Sequence, residues 1–267
     1  MPDITIHGAR LHYNVTGSGP ETILFVHGLM LPSESWERQR DFFSRTHRVV
    51  TFDLRGQGRS ERTRDRLDLD SITEDTISLI ETLKIHPCHV TGFSMGAFIA
   101  LRLAARRPDL VRSLILIGAS ADSEEPGNVP RYTMMIALVM AFGTRPIADR
   151  LMRILFGDTF LADPAHLPER IRWRAIIEGL PRSIARAALG SASRKAIWGE
   201  LGKISAPTLV ISGTEDRPVR PSQSKALADV IVGAVFVPVP DTGHAVMIER
   251  PEVCNKLMRD WINFARN

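Results

Sequence analysis

The chain has 267 residues, 44% of them hydrophobic, and a formal charge of only +4 from 34 Lys+Arg against 30 Asp+Glu. That size suits one large α/β domain. The basic residues (Arg62, Arg64, Arg66, Arg106, Arg107, Arg170, Arg172 and Arg174 among them) are scattered between acids without aromatic platforms, which argues against a nucleic-acid module. Two cysteines, Cys88 and Cys254, make neither a disulfide framework nor a zinc pattern. The start shows no basic and apolar leader, and the longest apolar stretch, 134–142, is too short to span a bilayer. A cytoplasmic location with no membrane partner is therefore expected, and the histidines show no metal-binding spacing.

In chain order, apolar runs at 4–6, 11–15 and Thr22–Val26 predict three strands, the third leading into His27-Gly28-Leu29. A fourth strand at 49–52 precedes Asp53-Leu54-Arg55-Gly56-Gln57-Gly58-Arg59-Ser60. That run fits neither phosphate-binding glycine pattern, so it reads as a structural turn in which Asp53 and Arg55 tie loops together. Ser71-Ile72-Thr73-Glu74 is a capping-box signature, and Ile72, Leu79, Ile80 and Leu83 behind it predict a helix to about Leu83.

A fifth strand at 89–93 runs into Gly92-Phe93-Ser94-Met95-Gly96, a G-x-S-x-G sequence followed by a helix-forming run that Arg107-Pro108 closes. Glycine removes the Cβ atoms that would clash in a tight strand-to-helix turn, so Ser94 can project its hydroxyl from the sheet edge. The N–H groups of Ser94 and Met95 fall in the first helical turn, where amides lack intrahelical partners and the dipole favours an oxyanion. A sixth strand follows at 113–117. From 120 to 203 the strand and helix alternation stops. Helical stretches broken by Pro126, Pro130, Pro146, Pro164, Pro168 and Pro181 suggest a helical lid, because proline belongs at helix starts and turns. The expected division is 1–120 with 203–267 as the core and 121–202 as the lid. Within the lid, Met134, Met135, Met140, Phe142 and Trp173 are candidates for lining an apolar cavity or for holding the lid together.

A serine hydroxyl needs a base to take its proton and a carboxylate to orient that base. The β-rich run at 207–212 ends in Gly213-Thr214-Glu215-Asp216, and the run at 234–238 leads into Asp241-Thr242-Gly243-His244. Asp216 and His244 therefore stand in successive strand-end loops, in the order acid then histidine. Asp122, beyond the sixth strand, is the alternative acid, and Asp241 reads as a turn former. A C-terminal amphipathic helix at 253–264 would bury Leu257, Trp261 and Phe264.

These ordered motifs, with Phe25-Val26-His27-Gly28-Leu29, the Asp53 to Ser60 run and the Ser94 turn among them, resemble the α/β-hydrolase superfamily, in particular its lid-bearing serine esterase, lactonase and C–C hydrolase branch. The resemblance covers nearly the whole chain. It implies the α/β-hydrolase fold, a mostly parallel sheet flanked by helices with the lid inserted after the sixth strand. It further implies Ser94 as nucleophile, His244 as base then acid, Asp216 as its orienting carboxylate, and the backbone N–H groups of Leu29 and Met95 as oxyanion hole. His27 becomes a loop organiser, and Met30 and Val219 join the candidate lining residues. The implied partner is a small-molecule substrate, and no cofactor is required. Serine at the turn points away from the branches that use aspartate there. Ester or lactone hydrolysis leads. C–C hydrolysis of a diketone-like substrate is the alternative, disfavoured because Leu29-Met30-Leu31-Pro32-Ser33 lacks a glycine-rich segment. Perhydrolysis would use the same triad, and a non-catalytic receptor is the remaining class.

Overall fold

A computed structural model describes residues 2–63 and 67–266; Arg64 and Arg66, two of the scattered basic residues, lie outside them. Eight strands form one sheet: β1 (Asp3–Ile6), β2 (Ala9–Thr16), β3 (Thr22–Val26), β4 (Arg48–Phe52), β5 (Cys88–Phe93), β6 (Val111–Ile117), β7 (Thr208–Gly213) and β8 (Val235–Val239). Their order is β1-β2-β4-β3-β5-β6-β7-β8. β2 pairs antiparallel with β1 and β4, and every other pairing is parallel.

The central strands β3 and β5 are buried along their whole length, as their unbroken apolar character requires when both faces of a parallel sheet are covered. Alternation along β3 sends Leu24 and Val26 into one hydrophobic cluster and Ile23 and Phe25 into the other. Helices α1 (Glu37–Phe43), α2 (Leu69–Thr82) and α3 (Met95–Arg106) follow in the first half of the chain. α2 and α3 share the cluster with Leu24, and Phe43 of α1 belongs to the cluster with Ile23.

Between β6 and β7 the chain forms α4 (Val129–Phe142), α5 (Ala148–Leu155), α6 (Asp158–Ala162), α7 (Leu167–Glu178) and α8 (Ile184–Ala192), then a 3₁₀ turn at Trp198–Lys203. These helices extend the two clusters of the sheet: Val139 and Ile184 join the first, Leu155, Phe156 and Trp173 the second. The 3₁₀ turn lies against α3, where Glu200 pairs with Arg106 at 2.9 Å. The chain closes with α9 (Pro221–Val230), α10 (Val246–Glu249) and α11 (Pro251–Phe264).

Two local expectations need correction. The cap of α2 is Asp68, whose carboxylate accepts the Ser71 N–H at 2.9 Å, so the helix starts before the Ser71 capping box. On α11 the buried stripe is Cys254, Met258, Trp261 and Ile262, while Phe264 is exposed, because its position on the helix lies to one side of that stripe.

Candidate active site

Ser94 sits between β5 and α3 with φ +52° and ψ −117°, outside the regions open to most L-residues. Such strain costs on the order of 1–3 kcal/mol and persists only where the surroundings enforce it. Here they do. A Cβ on Gly92 would stand 2.4 Å from the Gly96 carbonyl oxygen, and one on Gly96 would stand 2.2 Å from that of Val26, so only glycine lets α3 approach β5 and β3 this closely. The Ser94 N–H donates to Ile117 O at 2.8 Å. It is therefore engaged by β6, which removes it as an oxyanion donor and leaves the Met95 N–H as the candidate on this turn.

His244 and Asp216 meet behind the serine turn. The His244 Nδ1–H donates to Asp216 Oδ2 at 2.8 Å, and both residues are buried. Asp216 Oδ1 accepts the Val219 N–H at 2.9 Å, which holds the carboxylate plane. With Nδ1 carrying the proton toward a carboxylate, Nε2 keeps its lone pair. The Phe93 ring packs on the imidazole at a centroid distance of 4.8 Å. Gly118, which no motif singled out, forms the floor: a Cβ there would stand 2.7 Å from His244 Cε1 and 3.3 Å from Asp216 Oδ2. The alternative acid Asp122 is engaged elsewhere, by Trp198 Nε1 at 2.9 Å, Ser120 Oγ at 3.2 Å and Gln223 Nε2 at 3.3 Å. Asp241 occupies the left-handed region at φ +50°, as a turn former does.

The loop after β3 is organised from below. The His27 Nδ1–H donates to Gly28 O at 2.7 Å, and its Nε2 accepts the Leu54 N–H at 2.9 Å. Burial holds its pKa below the usual imidazole value, so the ring is a neutral bracket. Asp53 accepts from the N–H groups of Ser33 and Arg59, each at 2.9 Å, and Arg55 grips Asp75 with two bonds of 2.6 Å. Gln57 links the loop after β3 to the serine turn: it accepts the Met30 N–H at 3.1 Å and approaches Met95 Sδ at 3.7 Å. Nothing in the glycine-rich run distinguishes it from a turn residue, so this bridge was not visible in sequence.

Ser94 and His244 open on a cavity beneath the inserted helices. Leu29, Met30, Met135 and Val219 line it, together with Tyr132, Ile136 and Val139 of α4 and Leu151 and Leu155 of α5. Met134 and Trp173 do not. Met134 is on the outer face of α4 and 55% exposed, while Trp173, 2% exposed, is packed into the second hydrophobic cluster. On α4 the cavity takes positions 132, 135, 136 and 139, a helical stripe that turns 134 outward. A polar end was also missed: Arg194 pairs with Glu124 at 2.8 Å, both largely buried, and its guanidinium lies 4.5 Å from the centroid of Phe98, one turn along α3 from Ser94.

A mostly parallel eight-stranded sheet with a strained serine turn after its fifth strand and a histidine loop after its last is the architecture of an α/β-type hydrolase. Comparison with known sequences agrees: the pattern of the alpha/beta hydrolase family matches residues 23–257, and the chain belongs to that family. It is 31% identical to the AB hydrolase superfamily protein YisY of Bacillus subtilis, over 90% of this chain and 91% of that one. Among solved structures it is similar to a thermophilic esterase from Thermogutta terrifontis, with 28% identity, full coverage of both chains and a TM-score of 0.91. It is likewise similar to the enol-lactonase of Burkholderia xenovorans, with 26% identity, 98% of this chain and 100% of that chain covered, and a TM-score of 0.91.

Proposed function

We propose that this enzyme hydrolyses carboxylic esters or lactones of small, largely apolar molecules through Ser94, His244 and Asp216. The observation that carries the reading is the convergence of the strained Ser94 turn and the hydrogen-bonded His244–Asp216 pair on one predominantly apolar cavity. His244 Nε2 takes the Ser94 proton as Oγ attacks the carbonyl carbon, and the carbonyl electron pair moves onto oxygen, where the Leu29 and Met95 N–H groups receive it. Collapse breaks the C–O bond, the imidazolium returns its proton to the leaving oxygen, and an acyl-enzyme remains. Water, deprotonated by His244, repeats the cycle and releases the acid. Asp216 holds the tautomer and compensates the imidazolium.

Similarity to an esterase and an enol-lactonase supports ester and lactone substrates. The test is turnover of p-nitrophenyl butyrate and of an aliphatic lactone, combined with fluorophosphonate labelling mapped by peptide mass. Turnover of either substrate with label on Ser94 is expected. Binding of such compounds with neither turnover nor label would overturn the reading in favour of a receptor.

A further inference from the structure

The residues on either side of Asp216 and of His244 are tied to a single stretch of the inserted helices, 153–159, Glu215, Arg217 and Ala245 directly and Gly243 through Glu249. Glu215 accepts the Thr159 N–H at 3.0 Å and its hydroxyl at 2.5 Å, and Arg217 donates to Arg153 O at 2.7 Å and pairs with Asp158. The Ala245 N–H donates to Leu155 O at 3.0 Å. At the centre is Glu249, whose Oε2 accepts the Gly243 N–H at 2.8 Å and the Gly157 N–H at 3.1 Å. The two backbones touch there: a Cβ on Gly157 would stand 2.7 Å from Gly243 N and 3.2 Å from Glu249 Oε2. Glu249 is 2% exposed, and its Oε1 has no hydrogen-bond partner among the described residues. A carboxylate is costly to bury in this way, and the triad as described does not use it.

We infer that Glu249 is a positioning residue for His244: its carboxylate clasps the histidine loop to the inserted helices through Gly243 and Gly157, and its charge steadies the imidazolium formed when His244 takes the serine proton. The inference rests on the Ser94, His244 and Asp216 reading. Burial pushes the Glu249 carboxyl up to about 7, against the N–H bonds it accepts and the nearby His244, which pull it down. The charged and titratable groups around it are His244 and Glu215 on the two loops, Asp158 beside Gly157, Glu37 and Arg38 of α1, His166 and Glu169 at the entry to and on α7, and Arg250 and Glu252 that follow it. The test alters none of these.

Glu249→Gln keeps an oxygen for both N–H groups and removes the charge; Glu249→Ala removes both. For hydrolysis of one neutral ester, kcat should fall about threefold in Glu249→Gln with KM unchanged, and the acid limb of kcat/KM should move down by about half a pH unit, the same factor expressed as protonation. Glu249→Ala should lose more kcat than Glu249→Gln, and Glu249→Gln decides alone if the alanine variant does not fold. A Glu249→Gln profile superimposed on wild type, or a change confined to KM, overturns the inference. Ser94→Ala is the control that separates the two readings. If Ser94→Ala retains turnover the triad reading itself falls, whereas an inactive Ser94→Ala with an unmoved Glu249→Gln profile removes the Glu249 role alone.

Discussion

At the scale of single residues, the proposed chemistry divides into groups whose loss should be read differently. Ser94→Ala should abolish ester turnover while ligand binding and the melting temperature stay close to wild type, since it removes the attacking oxygen without touching the sheet; His244→Ala should abolish turnover and lower the melting temperature, because it leaves the buried Asp216 carboxylate without its partner. Asp216→Asn should lower kcat on the order of 10⁴-fold by letting His244 adopt the wrong tautomer. Asp122→Asn should stay near wild type, because Asp122 bonds Trp198, Ser120 and Gln223 instead. The opposite ranking in steady-state kinetics would reassign the acid. The proposed oxyanion donors are backbone amides, so side-chain truncation tests nothing about them. Leu29→Ala should mainly change substrate fit, whereas Leu29→Pro deletes one donor and should cost roughly 10²- to 10³-fold in kcat. Equal kcat in the two variants, with the loop shown crystallographically unmoved, would dismiss the Leu29 amide. The strand-end positions of Ser94, His244 and Asp216 were legible in sequence because each follows a strand that turn residues terminate. The contacts of Gly118, Gln57 and Glu249 were not, because each reaches a segment remote in sequence, Glu249 through Gly157.

At the scale of elements, α4 is the piece that sequence alone resolved least well. Its 14 residues include Met134, Met135, Met140 and Phe142, apolar on nearly every side, so periodicity could not say which face meets the cavity. Tertiary packing chose 132, 135, 136 and 139, with Val139 also joining the core cluster. A paired substitution follows from this. Met135→Gln should raise KM for an apolar ester several-fold, because it puts an amide into an apolar wall, and Met134→Gln should leave both kinetic constants unchanged on a surface already in water. If Met134→Gln proves the more damaging of the two, the face assignment is inverted. The strands, by contrast, lie within a residue or two of expectation, since a buried parallel strand leaves a short apolar run that its flanking turns bound on both sides.

Across the whole molecule, buried histidines and Glu249 shape stability in opposite ways. His89 is fully buried, bonded to Ser113 Oγ at 2.7 Å, and burial pulls its pKa from 6.5 down to about 4; His27 is lowered for the same reason. A folded-state pKa below the unfolded one means that the unfolded chain binds the proton first. Their contribution is present above about 6.5 and is lost as pH falls, for His89 over the interval down to about 4 at on the order of 1.4 kcal/mol per pH unit. Glu249, raised from 4.5 to about 7, has the reverse sign and costs stability as pH rises through that window. Melting temperatures at pH 7, 5.5 and 4.5 should therefore fall, and fall less steeply in His89→Gln; identical slopes would show that His89 is not the cause. No helix among the described residues is long and apolar enough to cross a membrane. What the sequence by itself determined is the α/β order, the serine turn and the two strand-end loops, because strand periodicity and turn chemistry are local and survive in a linear reading. Only the tertiary structure decided which carboxylate meets His244, which amide is already spent on Ile117, and which face of α4 looks inward, since these depend on strands β5 to β8 lying side by side and on how far the inserted helices can approach them.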